Sequence, residues 1–527
     1  MRKQASLFLF WLFAGSTIVL AQLQSHKVTF HITVADEVQS SVKPSGRLFI
    51  FMDAFPGREP RTCSPTSYSV VSFAKNLTNL DPEANLLIDN DDGWVKWQST
   101  AFLTYEDDEM GLKVIKDFTF DNIPEGQYRV QLLWDQDQSE SSINAPGNIY
   151  SKELNIMLDQ PIEVKISLSE IIGQPEIVQH SLVREINLKS DTLSKWWGKE
   201  VIVNASVLLP GRYSENRNEA YPICYYISGY GGRYTRINNL ISDKDFMDWW
   251  LSDEAPQIIL VYLDGEGPFG DSYQVDSENN GPYGYNLTHE LIPYIESKFR
   301  GGNSPETRFT YGCSTGGWVS LALQLFYPDV FNGCFSYSPD PVDFRHLLLT
   351  NIYKDKNAFV NEYGYQQPVR RLSNGKPQIS MKDWIQFENV ISSSNSYINS
   401  GFQFGAYSAV FGPRGKSGLP VPLFDPFTGK IDQEVAESWA KYDLKLYCEK
   451  NWEELGPKIQ GKIYIWMGDM DSYHLNFATR AFDQFLKSTG NPKSDAIVEF
   501  SPMDLHCSRF SHRTVLEKVE AKLKEEK

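Results

Sequence analysis

The chain has few cysteines, and it has fewer basic than acidic residues. Each of these shortages argues against one class of protein. Six cysteines in 527 residues are too few to form the disulfide scaffold of a protein this long. Lysine and arginine number 50 against 67 aspartates and glutamates, which gives a formal net charge of −17. Because such a surface repels phosphate backbones, the composition argues against nucleic-acid binding.

Sequence patterns that indicate metal or cofactor binding are also missing. No Cys/His cluster has the spacing of a zinc site, and no Walker or dinucleotide-binding fingerprint occurs. The run DNDDG at residues 89–93 resembles the start of a calcium loop, but it lacks the closing glutamate of an EF-hand. We interpret it as a solvated acidic turn, so the sequence predicts neither a metal nor a cofactor.

The first 21 residues have the organisation of a cleavable secretory signal. Arg2 and Lys3 precede an apolar stretch that starts at Leu7, and small residues near Ala21 suit signal-peptidase recognition. The alternative, a membrane anchor, is disfavoured because the apolar stretch is short and no basic patch follows it. We therefore expect residues 1–21 to be removed and the protein to be secreted or periplasmic, without stable membrane insertion.

The remaining chain is predicted to form two domains with different patterns of apolar residues. Residues 22–172 contain period-two runs such as VTFHITV and RLFIFM, separated by turn residues, which predicts an all-β sandwich of Ig-like or transthyretin-like type. Residues 173–527 alternate short apolar strands with amphipathic helices. This second pattern predicts an α/β domain with a doubly wound, mostly parallel sheet.

A long segment, residues 344–457, interrupts the pattern of the second domain. It has few signals of parallel strands but many aromatic residues and glycines. A segment of this length is predicted to be a lid over an active site. The alternative is an insertion that only packs against the neighbouring domain.

The strongest local motif is GCSTGG at residues 312–317. It lies directly after the predicted strand RFTYG and directly before a helical segment. A nucleophile elbow needs this arrangement, because a tight turn from strand to helix lifts the serine hydroxyl off the sheet and small neighbours let the backbones approach. The motif therefore makes Ser314 the candidate nucleophile; the alternative is a serine that only caps the helix.

A serine nucleophile needs a histidine base and an acid that orients it, in the chain order Ser, acid, His for this fold. After the predicted strand IYIWM, Asp471 is the favoured acid and Asp469 its rival. The loop after the last predicted strand supplies His506 as the favoured base. His474 and His512 are the alternatives, and both are interpreted as surface histidines.

Two backbone N–H groups are expected to form an oxyanion hole. Thr315 follows the nucleophile directly and is the first expected donor. Tyr230, in the glycine-rich segment SGYGG at residues 228–232, is the second. The alternative for that segment is an ordinary glycine-rich turn.

Two cysteines flank the candidate nucleophile and base. Cys313 precedes Ser314, and Cys507 follows His506. If the two candidate residues meet, these backbones come close, and a disulfide would hold them in register. The alternative is that both cysteines are small, buried and unpaired.

The stretch from about Lys199 to Arg509 resembles the Putative esterase family of α/β-hydrolases, also called the esterase D or enterochelin-esterase-like family. The resemblance rests on the motifs VLLPGRY, YYISGYGG, NGPYGYNLTHELIPYIESKF, GCSTGGW, LALQLFYPDVFNG, GDMDSYHLN and DLHC. It implies the fold and ester hydrolysis, and it implies the same roles for the matching residues: Ser314, Asp471 and His506 as nucleophile, acid and base, with Tyr230 and Thr315 as oxyanion donors. The Cys-Ser, Asp, His-Cys pattern is also similar to that of tannases and fungal feruloyl esterases, where a disulfide joins the neighbours of serine and histidine.

These features predict a secreted serine esterase that acts through an acyl-enzyme on Ser314. An exported enzyme with an aromatic lid suggests an ester on or near a carbohydrate, such as an acetyl or feruloyl ester. Two alternatives stay open: a peptidase of the same fold, and a catalytically silent protein that binds glycans.

Overall fold

Two β-sheets organise the computed structural model, which describes residues 27–67, 70–89, 93–98, 118–137 and 140–525. The predicted signal peptide and positions 90–92 of the acidic turn lie outside these residues. No helix in the described part of the chain is long and apolar enough to cross a membrane.

The strands described before residue 172 form the first sheet. These strands are β1 (Val28–Val34), β2 (Gly46–Asp53), β3 (Val70–Leu77), β4 (Leu86–Ile88), β5 (Val95–Gln98), β6 (Gly126–Asp135), β7 (Ile149–Ser151), β8 (Leu154–Leu158) and β9 (Ile162–Ile171). Their order is β4-β1-β9-β7-β6-β2-β3-β5, and β8 also pairs with β6. The region is thus rich in β-structure, as the period-two runs predict.

Hydrogen bonding joins these strands into one branched sheet, and the sandwich packing stays a prediction. The two longest strands, β6 and β9, cause the continuity because each pairs with different neighbours along its length. The first half of β6 pairs with β8 and its second half with β7. Strand β9 pairs in parallel with β1 and, at its end, antiparallel with β7.

The later strands are mostly short and buried. They are β10 (Val183–Lys189), β11 (Ile202–Leu208), β12 (Ile223–Ile227), β13 (Ile259–Leu263), β14 (Glu266–Gly267), β15 (Gly270–Asp271), β16 (Asp276–Ser277), β17 (Gly281–Pro282), β18 (Arg308–Cys313), β19 (Cys334–Tyr337), β20 (Pro368–Arg371), β21 (Pro377–Ser380), β22 (Ile463–Gly468) and β23 (Ile497–Ser501). Strands β14 to β17, β20 and β21 form small two-stranded ribbons.

Apart from α1, the α-helices of the described residues all lie after residue 172. They are α1 (Asp36–Gln39), α2 (Asp191–Trp197), α3 (Ile237–Ser242), α4 (Lys244–Trp250), α5 (Tyr283–Asn286), α6 (Ile292–Phe299), α7 (Thr315–Phe326), α8 (Met381–Ile391), α9 (Gln403–Phe411), α10 (Gln433–Ser438), α11 (Leu444–Leu455), α12 (Asn476–Ser488) and α13 (His512–Glu525). A π-helical turn (Leu287–Leu291) directly precedes α6.

The second sheet has the order β10-β11-β13-β12-β18-β19-β22-β23. Strand β11 runs antiparallel to both of its neighbours. Strands β13, β12, β18, β19, β22 and β23 all run parallel to one another. The alternation of strands and helices predicts such a mostly parallel sheet.

Both faces of this sheet are buried, which explains why its strands are continuous apolar runs. Successive residues of β12 show the alternation: Tyr225 belongs to the core cluster that includes Trp318 of α7. Tyr226 belongs to the cluster on the other face, which includes Val515 and Leu516 of α13.

The predicted insertion, residues 344–457, packs against the first sheet through helix α8. Phe387, Val390 and Ile391 of α8 share a core cluster with Phe49 and Leu133. This contact corresponds to the alternative interpretation of the insertion. The other side of the same segment lines a cavity of the second sheet, as described below.

Candidate active site

The candidate catalytic residues follow the carboxyl ends of neighbouring parallel strands. Tyr230 follows β12, Ser314 follows β18, Asp471 follows β22 and His506 follows β23. Because these strands run in one direction within one sheet, their carboxyl ends meet at the same edge. The topology therefore gathers residues from distant parts of the sequence at one place.

Ser314 occupies a strained turn between β18 and α7. Its backbone has φ 62° and ψ −127°, a combination that a residue with a side chain seldom adopts. The flanking glycines are required by close contact, since a Cβ atom on either Gly312 or Gly316 would overlap the carbonyl oxygen of Ile227. Within the described chain, the Ser314 side chain makes no capping hydrogen bond to its helix, so the capping alternative has no support.

Asp471 is the aspartate that the structure brings to His506. Asp471 Oδ2 lies 2.6 Å from His506 Nδ1, and the Asp471 side chain is fully buried. The other carboxylate oxygen accepts hydrogen bonds from the backbone N–H groups of Tyr473 (2.8 Å) and Leu475 (3.3 Å). Asp469 points elsewhere and forms an ion pair with Arg480.

The surroundings of His506 favour its protonated form. Burial alone would lower the pKa of the imidazole. The charge of Asp471, its hydrogen bond and the charge of Asp340 outweigh burial and the opposing charge of Arg370, so the pKa of His506 is raised. A base with a raised pKa accepts a proton from a hydroxyl more readily, provided that it starts neutral.

The other two candidate histidines are not surface residues, contrary to the sequence interpretation. His474 is 6% exposed, and burial lowers its pKa to about 4. His512 starts α13, where Tyr262 and Tyr311 lie within hydrogen-bond distance of its two ring nitrogens (3.2 and 2.8 Å). Both lie under packed segments that the sequence does not reveal, and neither ring contacts Asp471 in the described residues.

Ser314 and His506 face the same cavity of about 290 Å³. Their side chains form no direct hydrogen bond in the part of the chain that the structure describes; unliganded active sites often have such loose geometry. A disulfide joins the adjacent residues Cys313 and Cys507, whose Cα atoms lie 6.0 Å apart. The disulfide therefore ties the elbow to the loop that carries His506.

The two predicted oxyanion donors lie beside Ser314, in the residue that follows it and in the glycine-rich loop after β12. Thr315 is the first residue of α7, so its N–H has no acceptor within the helix. The segment before Tyr230 touches the elbow, since a Cβ atom on Gly229 would lie 3.6 Å from the Ser314 Cβ. Tyr230 lines the cavity, and its hydroxyl donates a hydrogen bond to the Gly401 carbonyl.

A buried carboxylate beside the elbow was not predicted from the sequence. Asp340 is 4% exposed and lines the Ser314 cavity. Its Oδ2 accepts hydrogen bonds from the hydroxyls of Tyr273 (2.6 Å) and Thr315 (2.9 Å) and from Gln403 Nε2 (3.1 Å). The position of Asp340, three residues past the end of β19, is the signal by which it could have been found.

The predicted insertion supplies much of the cavity wall. The insertion residues that line it are Leu348, Val369, Trp384, Gln403, Phe404 and Tyr407. Three of these six are aromatic, and Tyr473 adds a further ring that packs edge-on against His506 at 5.1 Å between centroids. Among the described residues, no group of three His, Cys, Asp or Glu side chains is placed to hold a metal ion.

The family described as Putative esterase matches residues 200–493, which is more than half of the chain. The protein is a serine carboxylic ester hydrolase. It belongs to the Putative esterase family. No curated protein matches the chain by sequence.

Solved structures of low sequence identity match about two thirds of the chain. A ferulic acid esterase is 16% identical, with 65% of this chain and 97% of that chain covered and a TM-score of 0.41. An S-formylglutathione hydrolase from Agrobacterium tumefaciens is 14% identical, with 66% and 95% covered and a TM-score of 0.35. A ferulic acid esterase from Anaeromyces mucronatus, in complex with ferulic acid, is 13% identical, with 65% and 89% covered and a TM-score of 0.32.

Proposed function

We propose that Ser314, Asp471 and His506 hydrolyse carboxylic esters through an acyl-enzyme on Ser314. The observation that carries this proposal is the 2.6 Å contact between Asp471 and His506 in a cavity that also exposes Ser314. His506, oriented by Asp471, takes the Ser314 proton as the hydroxyl attacks the ester carbonyl. It then returns the proton to the leaving alcohol, and water releases the acyl group by the same steps.

The oxyanion of each tetrahedral intermediate is held, in this proposal, by the backbone N–H groups of Tyr230 and Thr315. Support comes from the position of Thr315 at the start of α7 and from the contact of residue 229 with the elbow. Donors that are fixed before the reaction stabilise negative charge at little cost in reorganisation. Each donor of this kind contributes roughly 3–4 kcal/mol to lowering the barrier in other hydrolases.

We further propose an exported enzyme, with residues 1–21 removed, a β-domain at 22–172 and a hydrolase domain at 173–527. Residues 344–457 act as the lid, which is supported by the six insertion residues that line the Ser314 cavity. The aromatic wall suits an acyl group that presents an apolar or ring surface. The substrates are then acetyl or feruloyl esters of carbohydrates.

The proposal is tested by incubating the purified protein with acetylated and feruloylated glycans and measuring the acid that is released. The wild type is expected to release acid and to be labelled by a fluorophosphonate probe. Ser314→Ala is expected to lose label and to lower kcat by at least about 10⁴-fold, with the melting temperature retained. If Ser314→Ala keeps wild-type turnover, or if the wild type cleaves only peptides, the proposal is wrong.

A further inference from the structure

A second cavity lies on the far side of Tyr230 from Ser314. We name it the junction cavity because three parts of the chain form it: residues between 140 and 146 of the first region, the loops at 230–233 and 265–271, and residues 400–402 of the insertion. Its volume is about 350 Å³. Tyr230 lines both this cavity and the Ser314 cavity, so the two spaces are neighbours.

The segments that form the junction cavity lie in close contact with one another at two glycines. Gly401 has a positive φ of 71°, and a Cβ atom there would lie 2.5 Å from the Cβ of Ser141. A Cβ on Gly270 would lie 2.7 Å from the Gly401 carbonyl oxygen. Larger residues at these two positions are therefore excluded, and the first region, the hydrolase loop and the insertion are held in close contact around the cavity.

The polar groups of the junction cavity have both signs of charge. Arg233 forms two hydrogen bonds with Asp264, at 2.7 and 3.1 Å, and reaches Glu140 of the first region at 3.3 Å. Glu266 and Asp271 add two further carboxylates to the wall. An arginine flanked by carboxylates disfavours both a free anion and a simple cation as the ligand.

The carboxyl groups of Glu266 and Asp271 are suited to form hydrogen bonds with the neutral hydroxyl groups of a ligand. Burial raises the pKa of Glu266 to about 7 and that of Asp271 to about 8, so near neutral pH they can donate as well as accept hydrogen bonds. Glu266 Oε2 lies 3.7 Å from Arg233 Nη1, whereas Glu266 Oε1 has no hydrogen-bond partner among the described residues. Buried polar atoms without a partner are uncommon in native structures, and a ligand hydroxyl would supply one.

We propose that the junction cavity binds the carbohydrate that carries the ester, a proposal that rests on the proposed function. Sugar hydroxyls are both donors and acceptors, which matches the mixed lining of Arg233, Glu266 and Asp271. The rings of Tyr230 and Phe402, which also line the cavity, offer apolar faces to the sugar ring. The first region would then contribute to substrate selection through residues 140–146.

The test compares a methyl ester and a pentose ester of the same acid in the full-length enzyme. Wild type is expected to have the higher kcat/KM for the pentose ester. Glu266→Met keeps most of the size of the side chain but removes its hydrogen-bonding groups. It is expected to lower the ratio of pentose-ester to methyl-ester kcat/KM about three- to tenfold, the effect of one lost hydrogen bond. Ser142→Ala, at a residue that also lines the cavity, is expected to lower the same ratio and is informative if Glu266→Met fails to fold.

Glu254→Met is the matched control, because Glu254 is exposed and lies outside both cavities. It should leave the ratio at the wild-type value. If the wild-type enzyme cleaves neither the methyl ester nor the pentose ester, the proposed function itself is wrong. If the methyl ester is cleaved but the ratio is the same in wild type, Glu266→Met and Ser142→Ala, the inference about the junction cavity is wrong and the proposed function stands.

Discussion

Asp469 and Asp471 lie in one loop but have opposite surroundings. Asp471 is fully buried and contacts His506, whereas Asp469 pairs with Arg480, whose side chain is 48% exposed. Asp471→Asn is expected to lower kcat by about 10⁴-fold, because the amide stabilises the wrong imidazole tautomer. Asp469→Asn is the matched control and should stay within about threefold, since exposed ion pairs contribute little. Steady-state kinetics on a chromogenic ester measures kcat for both variants. Equal losses of kcat in Asp471→Asn and Asp469→Asn would contradict the assignment of Asp471 as the triad acid.

The charges around His506 also predict the pH profile. Only neutral His506 can accept a proton, so kcat/KM should rise with pH as the imidazole loses its proton. Because the pKa of His506 is raised, the midpoint of this rise is expected above the usual value of about 6.5. Asp340→Asn removes a charge that raises this pKa, so it should move the midpoint to lower pH.

Profiles of kcat/KM from pH 4 to 9 measure both midpoints. Asp469→Asn should leave the midpoint in place, since its carboxylate is not among the groups that shift the pKa of His506. An unchanged or higher midpoint in Asp340→Asn would contradict the role of this charge.

The sequence predicts some of these residues well because their signals are local. The elbow and the aspartates after β22 each follow a recognisable buried strand, and His506 follows the last predicted strand, β23. Asp340 also follows a strand, but no motif surrounds it. Tyr273 and Gln403 reach Asp340 from distant loops, and such a meeting depends on the tertiary fold alone.

At the scale of elements, the parallel strands were predictable and the pairing within the first sheet was not. Strands such as β12 and β13 are buried at every position, so their sequences are continuous apolar runs between loops. In the first sheet, β1 shows the expected alternation of burial. Its neighbours, however, are β4 and β9, and partners that far apart in sequence leave no local pattern.

The disulfide is the covalent link between two of these elements. Because Cys313 ends β18 and Cys507 lies beyond β23, its loss should loosen Ser314 relative to His506. Replacing both cysteines by serine is expected to lower kcat/KM about 10–100-fold, as small misplacements of catalytic groups do, and to lower stability by about 2–5 kcal/mol. Kinetics and urea unfolding measure the two effects. Wild type treated with a reductant should show the same kinetic loss, and full activity after proven reduction would contradict a positioning role.

At the scale of the whole molecule, the insertion connects the two sheets. Helix α8 presents Phe387 and Val390 to the first sheet, while Trp384 of the same helix lines the Ser314 cavity. The first sheet thus supports the element that shapes the cavity. A disturbance at this contact is expected to reach the active site through α8.

Arg47 provides the sharpest test of this connection. It lies on β2 with 1% of its surface exposed, and its guanidinium donates hydrogen bonds to the carbonyl of Val390 in α8 at 3.0 and 2.9 Å. Burial lowers the pKa of Arg47 to about 10, so it still carries its charge at neutral pH. Arg47→Met keeps most of the side-chain volume but leaves the Val390 carbonyl without this donor.

We expect Arg47→Met to lower the free energy of unfolding by about 1–3 kcal/mol, the cost of leaving buried polar groups without partners. We also expect a higher KM for ester substrates, because α8 carries part of the cavity wall. Urea unfolding and steady-state kinetics measure the two effects. Arg184→Met is the control, since Arg184 is an exposed strand residue whose loss should change neither quantity. A destabilised Arg47→Met enzyme with wild-type KM would show that the first sheet stabilises the fold without shaping the substrate cavity.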